Sequence, residues 1–334
     1  FTYDTTGAQT QLIDPLNRRT TSGYDSAGQQ TLRIDARSNR TTYAYSSLSQ
    51  VTGRKYPNGS RVTVSYDATG NRTMLADATG RYTSTWNAAS QQTVAASPNS
   101  QRTTYSYYPG GLRRSQDSAG SGRFTSVYDS AEQMTSLKNH AGERTTFVYD
   151  DAGRRTVQRD SFGTRVSTMY DAASQTTQVI QRTSAGATLQ QFDYRYDNAG
   201  NRKVMIEGGS AARTTWSYDA QSQLTGEHRT GTSAYRQTFT YDVGGNRTLK
   251  NVDGTRTTYS HDAANQLKYG QAGSARTTYV YDQNGNQQIE RPAVGNRTTT
   301  TWNYENQPIL YRLPSGGRVT MSYNGDNRRV EVEG

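Results

Sequence analysis

The stretch Tyr66-Asp67-Ala68-Thr69-Gly70-Asn71-Arg72 reads as a tight chain reversal. Gly70 supplies a backbone conformation that residues with a Cβ resist, and Asp67 caps the turn by accepting backbone N–H groups. A short run follows at 73–76, then a second reversal, Asp77-Ala78-Thr79-Gly80. Next, Arg81-Tyr82-Thr83-Ser84-Thr85 leads to the aromatic Trp86. The runs between reversals are rich in Thr, Tyr and Val and alternate with period two, which is strand patterning. In Arg256-Thr257-Thr258-Tyr259-Ser260-His261, residues 257, 259 and 261 share one face. With turn signals every 8–12 residues and no helical period, the pattern predicts β-hairpins in series.

The same unit recurs along the chain. Tyr-Asp begins it at Tyr3, Tyr24, Tyr66, Tyr128, Tyr149, Tyr170, Tyr196, Tyr218, Tyr241 and Tyr281. Variants hold the place at Tyr45, Trp86, Tyr107, His261, Trp302 and Tyr323. Of the fifteen spacings between these sixteen anchors, nine are 21 residues, and the repeat spans all 334 residues as one continuous array. The repeat-defining residues include Tyr66, Asp67 and Gly70; Tyr149, Asp150 and Gly153; Tyr196, Asp197 and Gly200; Tyr241, Asp242 and Gly245; and Tyr281, Asp282 and Gly285. The longest spacing, Tyr170 to Tyr196, carries an insertion within 179–189, read as a lengthened turn. About 32 strands at ~4.8 Å give a ribbon on the order of 150 Å long, too long to stay flat. The expected architecture is all-β: a spiralling antiparallel ribbon forming a hollow shell or a tube, stabilised neighbour by neighbour.

Composition narrows the function. Lys plus Arg number 38 against 28 Asp plus Glu, a net charge of +10, and mean hydropathy is −0.96. Leu, Ile, Val and Phe together make up only about 13% of the chain, a level usual for disorder. The 25 tyrosines oppose that reading, because Tyr buries a ring while its hydroxyl stays wet. No apolar run approaches the ~20 residues of a membrane span. No signal-peptide pattern is read in this sequence, whose residue 1 is Phe. With no Cys, disulfides, thiolate metal sites and cysteine nucleophiles are excluded. Only His140, His228 and His261 are present, and His261 stands in an anchor position as an aromatic spacer. Carboxylate pairs such as Asp150-Asp151 fall inside the turn motif. Asn-x-Ser/Thr occurs at Asn39, Asn58, Asn71, Asn246 and Asn296, largely because the repeat generates it. No catalytic, cofactor or metal site is expected, and the chain is not read as an enzyme.

The most constant slot lies five residues before the anchor. It holds Arg19, Arg40, Arg61, Arg81, Arg102, Arg123, Arg144, Arg165, Arg213, Arg236, Arg256, Arg276, Arg297 and Arg318; the exception is Gln191. Arg outnumbers Lys 33 to 5, a preference that suggests planar stacking or forked hydrogen bonds. By parity this ladder points away from the anchor Tyr. The expectation is a structural ladder in which each Arg pairs with turn carboxylates or stacks on an aromatic. A basic rail for nucleic acid or another polyanion is the less favoured reading. The ladder accounts for the whole excess of positive charge, so internal pairing would remove that reading's support.

The motif Tyr-Asp-x-x-Gly-Asn-Arg with a 21-residue period, seen most fully at Tyr66–Arg72 and Tyr196–Arg202, resembles the YD-repeat, or Rhs-repeat, family. That family includes Rhs and toxin-complex shells, bacterial wall-associated proteins and teneurins. The resemblance implies a hollow β-shell, which in the toxins encloses an effector and in teneurins belongs to an adhesion ectodomain. A self-cleaving core of the toxin type is not matched, since Asp14-Pro15-Leu16 lies at the wrong end, so self-cleavage and toxicity are not carried over. The array starts and stops inside a unit, so the chain is expected to be a fragment of a longer protein. The expected role is a structural scaffold of a secreted or cell-surface bacterial protein, with other repeats of the longer chain as partners and an enclosed segment such as a toxin. An extracellular filament built by self-association is one alternative. A glycan-binding or adhesion module, with aromatic clusters near Trp86, Trp216 or Trp302, is another.

Overall fold

In a computed structural model, which describes residues 1–210 and 212–334, the chain is all-β, with 32 strands and no helix among the described residues. It forms two compact units, one of residues 1–101 with 257–334 and one of residues 102–256. In both, strands adjacent in sequence pair antiparallel, the topology that two reversals per repeat require.

In the first unit the strand Arg61–Tyr66 pairs with Arg72–Asp77, with Thr63 opposite Ala76 and Val64 opposite Leu75. Arg72–Asp77 then turns into Gly80–Trp86, with Asp77 opposite Gly80. Register slips by one residue just before the anchor, between Ser65 and Tyr66, and the same slip precedes Tyr24, Tyr45 and Tyr281. Such bulges strengthen local twist.

The second unit repeats this plan, with slips before Tyr128, Tyr149, Tyr170, Tyr196, Tyr218 and Tyr241. Here the insertion within 179–189 lengthens the hairpin's arms and not its turn. The strands are Thr176–Arg182 and Thr188–Tyr196, seven and nine residues long, and the reversal at 183–187 is built like the others. The extra residues continue the alternation, so Val179 pairs opposite Phe192 and Ile180 opposite Gln191.

Few apolar side chains are buried among the described residues: Val62, Leu75, Ile180, Val204, Ala212, Phe239 and Met321. Thr41, Thr214, Ser115, Ser126, Ser136 and Ser167 are buried alongside them. Tyrosine supplies what is missing. In ten of the units the anchor tyrosine reaches back to the preceding hairpin, and its hydroxyl donates to a backbone carbonyl there. Tyr66 reaches Val51 at 3.0 Å, Tyr149 reaches Met134 at 2.9 Å, Tyr196 reaches Thr176 at 2.8 Å, and Tyr241 reaches Leu224 at 2.8 Å. Trp86 and Trp302 do the same with the indole N–H, to Arg72 and Gln287. A half-buried ring with a satisfied polar tip is how so hydrophilic a chain holds a fold.

Candidate functional site

The turn motif uses up its own polar groups. Asp67 Oδ1 accepts the backbone N–H of Thr69 at 3.0 Å and of Asn71 at 2.9 Å, while Asn71 Nδ2 donates to Oδ2 at 3.1 Å. Asp197 and Asp282 are held in the same way by Asn201 and Asn286. In Asp150 the second oxygen is taken by Arg154. The hydrogen bond from Thr69 and those from Asn71 hold the Asp67 carboxyl below its usual range, as those from Asn201 do for Asp197. Gly70, Gly153, Gly200, Gly245 and Gly285 all have positive φ. The residue five after the anchor, whose role the sequence left open, bridges turns: Gln50 Nε2 donates to the Gly70 carbonyl and Gln266 Nε2 to that of Gly285.

The arginine ladder is not paired as expected. Thirteen of its fourteen members are exposed and Arg165 is half-buried. No ladder Arg takes part in an ion pair among the described residues. Arg276 alone among the ladder members stacks on a described ring, 4.1 Å from the centre of Tyr269, and it also donates to Gln271. Part of the reason lies in the turns: at Asp67, Asp150, Asp197 and Asp282 both carboxylate oxygens are already taken by turn backbone and by Asn or Arg at the end of the motif. Stacking belongs instead to the Arg six after the anchor, over the ring two before it. Arg113 lies over Tyr105, Arg155 over Phe147, Arg202 over Tyr194 and Arg247 over Phe239, at 4.5–5.8 Å. That spacing is visible in the sequence once the two slots are compared.

The first unit also contains contacts that no repeat spacing announces. Residues from Arg18 to Asp77 meet partners 247 to 271 positions further along. Arg72 forks onto both oxygens of Asp326. Asn284 Nδ2 donates to Asp35 Oδ2 at 2.6 Å, and Arg37 lies 3.4 Å from Asp282 and 3.6 Å from Asp35. Gly325 N–H donates to Asp77, Arg54 to the Gly325 carbonyl, and the Tyr56 hydroxyl to Glu305 at 2.7 Å. Burial, and then the hydrogen bond to Glu305, pushes the Tyr56 hydroxyl well above its ordinary range, so it stays a donor.

Along this seam lies an open cleft of about 560 Å³. Tyr56, Trp302, Tyr304 and Tyr323 line it together with Arg37, Asp77 and Glu305. Tyr56 and Tyr304 stack at 5.7 Å with planes 14° apart. Of the three tryptophans expected to mark aromatic clusters, Trp302 borders this cleft; Trp86 serves as an anchor ring, and Trp216 lies in the strand Arg213–Tyr218. Among the described residues, no group of three or more His, Asp or Glu could hold a metal ion, and no helix is long and apolar enough to cross a membrane.

The sequence profile of the teneurin YD-shell family matches residues 1–209. Two curated relatives are 31% identical: the tRNA3(Ser)-specific nuclease WapA of Bacillus spizizenii over 160 residues, and the tRNA nuclease WapA of Bacillus subtilis over 157. These matches cover 46% and 45% of this chain but only 6% of each relative. Among solved structures, the complex TcdB2-TccC3-Cdc42 matches 94% of the chain with a TM-score of 0.56 at 15% identity. The Tc holotoxin pore of Photorhabdus luminescens matches 95% with a TM-score of 0.55 at 14% identity. The chain spans 23% of the length of each of these two solved chains.

Proposed function

The chain belongs to the teneurin YD-shell family, and on that premise we propose that it is a stretch of wall. In this reading it is a structural repeat scaffold of a secreted or cell-surface bacterial protein, curving around a hollow that encloses another segment, such as a toxin, of a longer chain. One observation supports this most: in the first unit, turns about 250 residues apart along the chain are joined by Arg72–Asp326, Asn284–Asp35 and Tyr56–Glu305. A flat ribbon of hairpins never meets itself at such separations, and a coiled wall does. The nuclease activity in the names of the two relatives is theirs, and the matched stretch is 6% of their length. Electron microscopy of the native full-length protein tests the reading. Discrete hollow particles with density inside are expected; long tubes with an axial repeat would replace it with a surface filament.

A second reading is favoured by the cleft. Parallel aromatic faces beside Asn, Asp and Glu side chains suit a sugar ring, which stacks its C–H face and hydrogen-bonds its rim. In a glycan-binding role, Tyr304→Ala should abolish oligosaccharide binding measured by calorimetry. Binding unchanged by that substitution, or no binding by the wild type, sinks it.

A further inference from the structure

Six consecutive strands of the second unit place a cation at the same end of the same face. The strands are Gly122–Tyr128, Met134–Lys138, Arg144–Tyr149, Arg155–Arg159, Arg165–Tyr170 and Thr176–Arg182. Register fixes the face. Thr125 lies opposite Lys138, Lys138 opposite Arg144, Thr146 opposite Arg159, Arg159 opposite Arg165, and Arg165 opposite Arg182. Residues two apart on a strand share a face, so Arg123, Lys138, Arg144, Arg159, Arg165 and Arg182 form one row. At ~4.8 Å between strands the row is about 24 Å long.

Most of the row has no acid beside it; Arg123 alone lies opposite one, Asp117 of the preceding strand Arg113–Ser118. None of its members takes part in an ion pair among the described residues. None of the six strands contains Asp or Glu. Of the acids in the turns at this end, Glu143 accepts from Asn139, and Asp160 Oδ1 accepts the N–H groups of Phe162 and Thr164. Like charges directly opposite each other destabilise a sheet, and this sheet carries three such pairs side by side. Two buried polar atoms on the same face also lack a partner among the described residues, Arg165 Nε and Ser167 Oγ, and Ser167 is only 9% exposed. A groove of about 350 Å³ opens at the row's start, lined by Arg123, Thr125, Lys138 and His140.

We propose that this row is a docking strip for an acidic polypeptide segment lying across the strands. Carboxylates suit the guanidinium fork and would relieve the cross-strand repulsion. The rest of the face distinguishes a polypeptide from a nucleic-acid strand. Every aromatic residue of the six strands — Phe124, Tyr128, Phe147, Tyr149 and Tyr170 — falls on the opposite face by alternation, so bases find no ring to stack on. Exposed Val127, Val148 and Met169 run parallel to the row on its own face and suit the apolar side chains a peptide brings. The inference stands on this unit alone and does not depend on what the wall encloses.

Fluorescence anisotropy with a labelled glutamate–leucine copolymer, on the whole chain, tests it. The wild type should bind, at least tenfold more weakly in 200 mM than in 50 mM salt. The exposed triple variant Lys138→Gln, Arg144→Gln, Arg159→Gln should lose at least tenfold in affinity with an unchanged melting temperature. A matched triple in the other unit, Arg40→Gln, Arg61→Gln, Arg318→Gln, should stay within twofold. Equal losses in the two triples would reduce the effect to net charge and overturn the site. Tighter binding of an oligothymidylate of equal charge would overturn the polypeptide assignment.

Discussion

Gly245→Val should open its hairpin. Gly245 sits at φ +81°, and a Cβ there would lie 3.1 Å from the side-chain nitrogen of Gln223, in the preceding repeat's turn. A left-handed backbone costs a residue with a Cβ about 1–2 kcal/mol, and a β-branched side chain resists it more. Amide exchange over 241–248 should therefore accelerate by about tenfold or more, since 1.4 kcal/mol is a factor of ten. Gly245→Ser is the informative contrast. Ser222 holds the equivalent slot one repeat earlier at φ 61°, and Ser49, Ser90 and Ser174 do likewise in theirs. A small polar side chain is thus tolerated by the same turn, where the Ser222 hydroxyl accepts from Asn201 of the preceding repeat, and exchange should change far less. Equal rates in the valine variant and the wild type would mean that the turn does not depend on this residue.

The serines in that slot show where sequence reading stopped. The spacing of Tyr-Asp and the alternation of Thr, Tyr and Val made the hairpins, their number and their turns legible. These signals are local, and each repeat states them again. The ladder's face was legible too, because alternation fixes parity. Its lack of partners was not. Whether a carboxylate can receive an Arg depends on whether its oxygens are free, and Asp67 gives both of its own to the turn. The insertion was misplaced for a related reason: Val179 and Ile180 extend a strand only because Phe192 and Gln191 extend its partner. Least legible was the seam. Asp35 and Asp77 look like any other turn acid, and Arg72 like any other Arg of the motif. Their partners Asn284, Gly325 and Asp326 lie about 250 residues away, beyond any local pattern.

Removing one seam carboxylate should be costly. Asp35 is 5% exposed. Its Oδ1 accepts the N–H groups of Arg37 and Asn39, its Oδ2 accepts Asn39 and Asn284, and Arg37 stands 3.6 Å away. Asp35→Ala strands those donors and leaves the Arg37 guanidinium with Asp282 as its remaining carboxylate. Breaking a buried pair from one side costs about 3–5 kcal/mol. Because the chain has two units, the loss should appear as faster amide exchange across 30–40 and 280–290, with 128–170 unaffected. Acid should act on the same seam. Burial pushes the Asp35 carboxyl up, but hydrogen bonds from Asn284 and Asn39 and the charge of Arg37 outweigh it, leaving the group below its ordinary 3.8. The hydrogen bonds from Arg72 lower Asp326 likewise. Both groups therefore add stability that is complete above the unfolded value and is lost as pH falls through the lower folded values. Exchange at the seam, corrected for intrinsic rate, should rise between pH 4 and pH 2 in the wild type. It should rise less in Asp35→Asn, which keeps the shape and has one fewer carboxylate to protonate. If Asp35→Ala left exchange at 280–290 unchanged, the two stretches would not be holding each other through this residue.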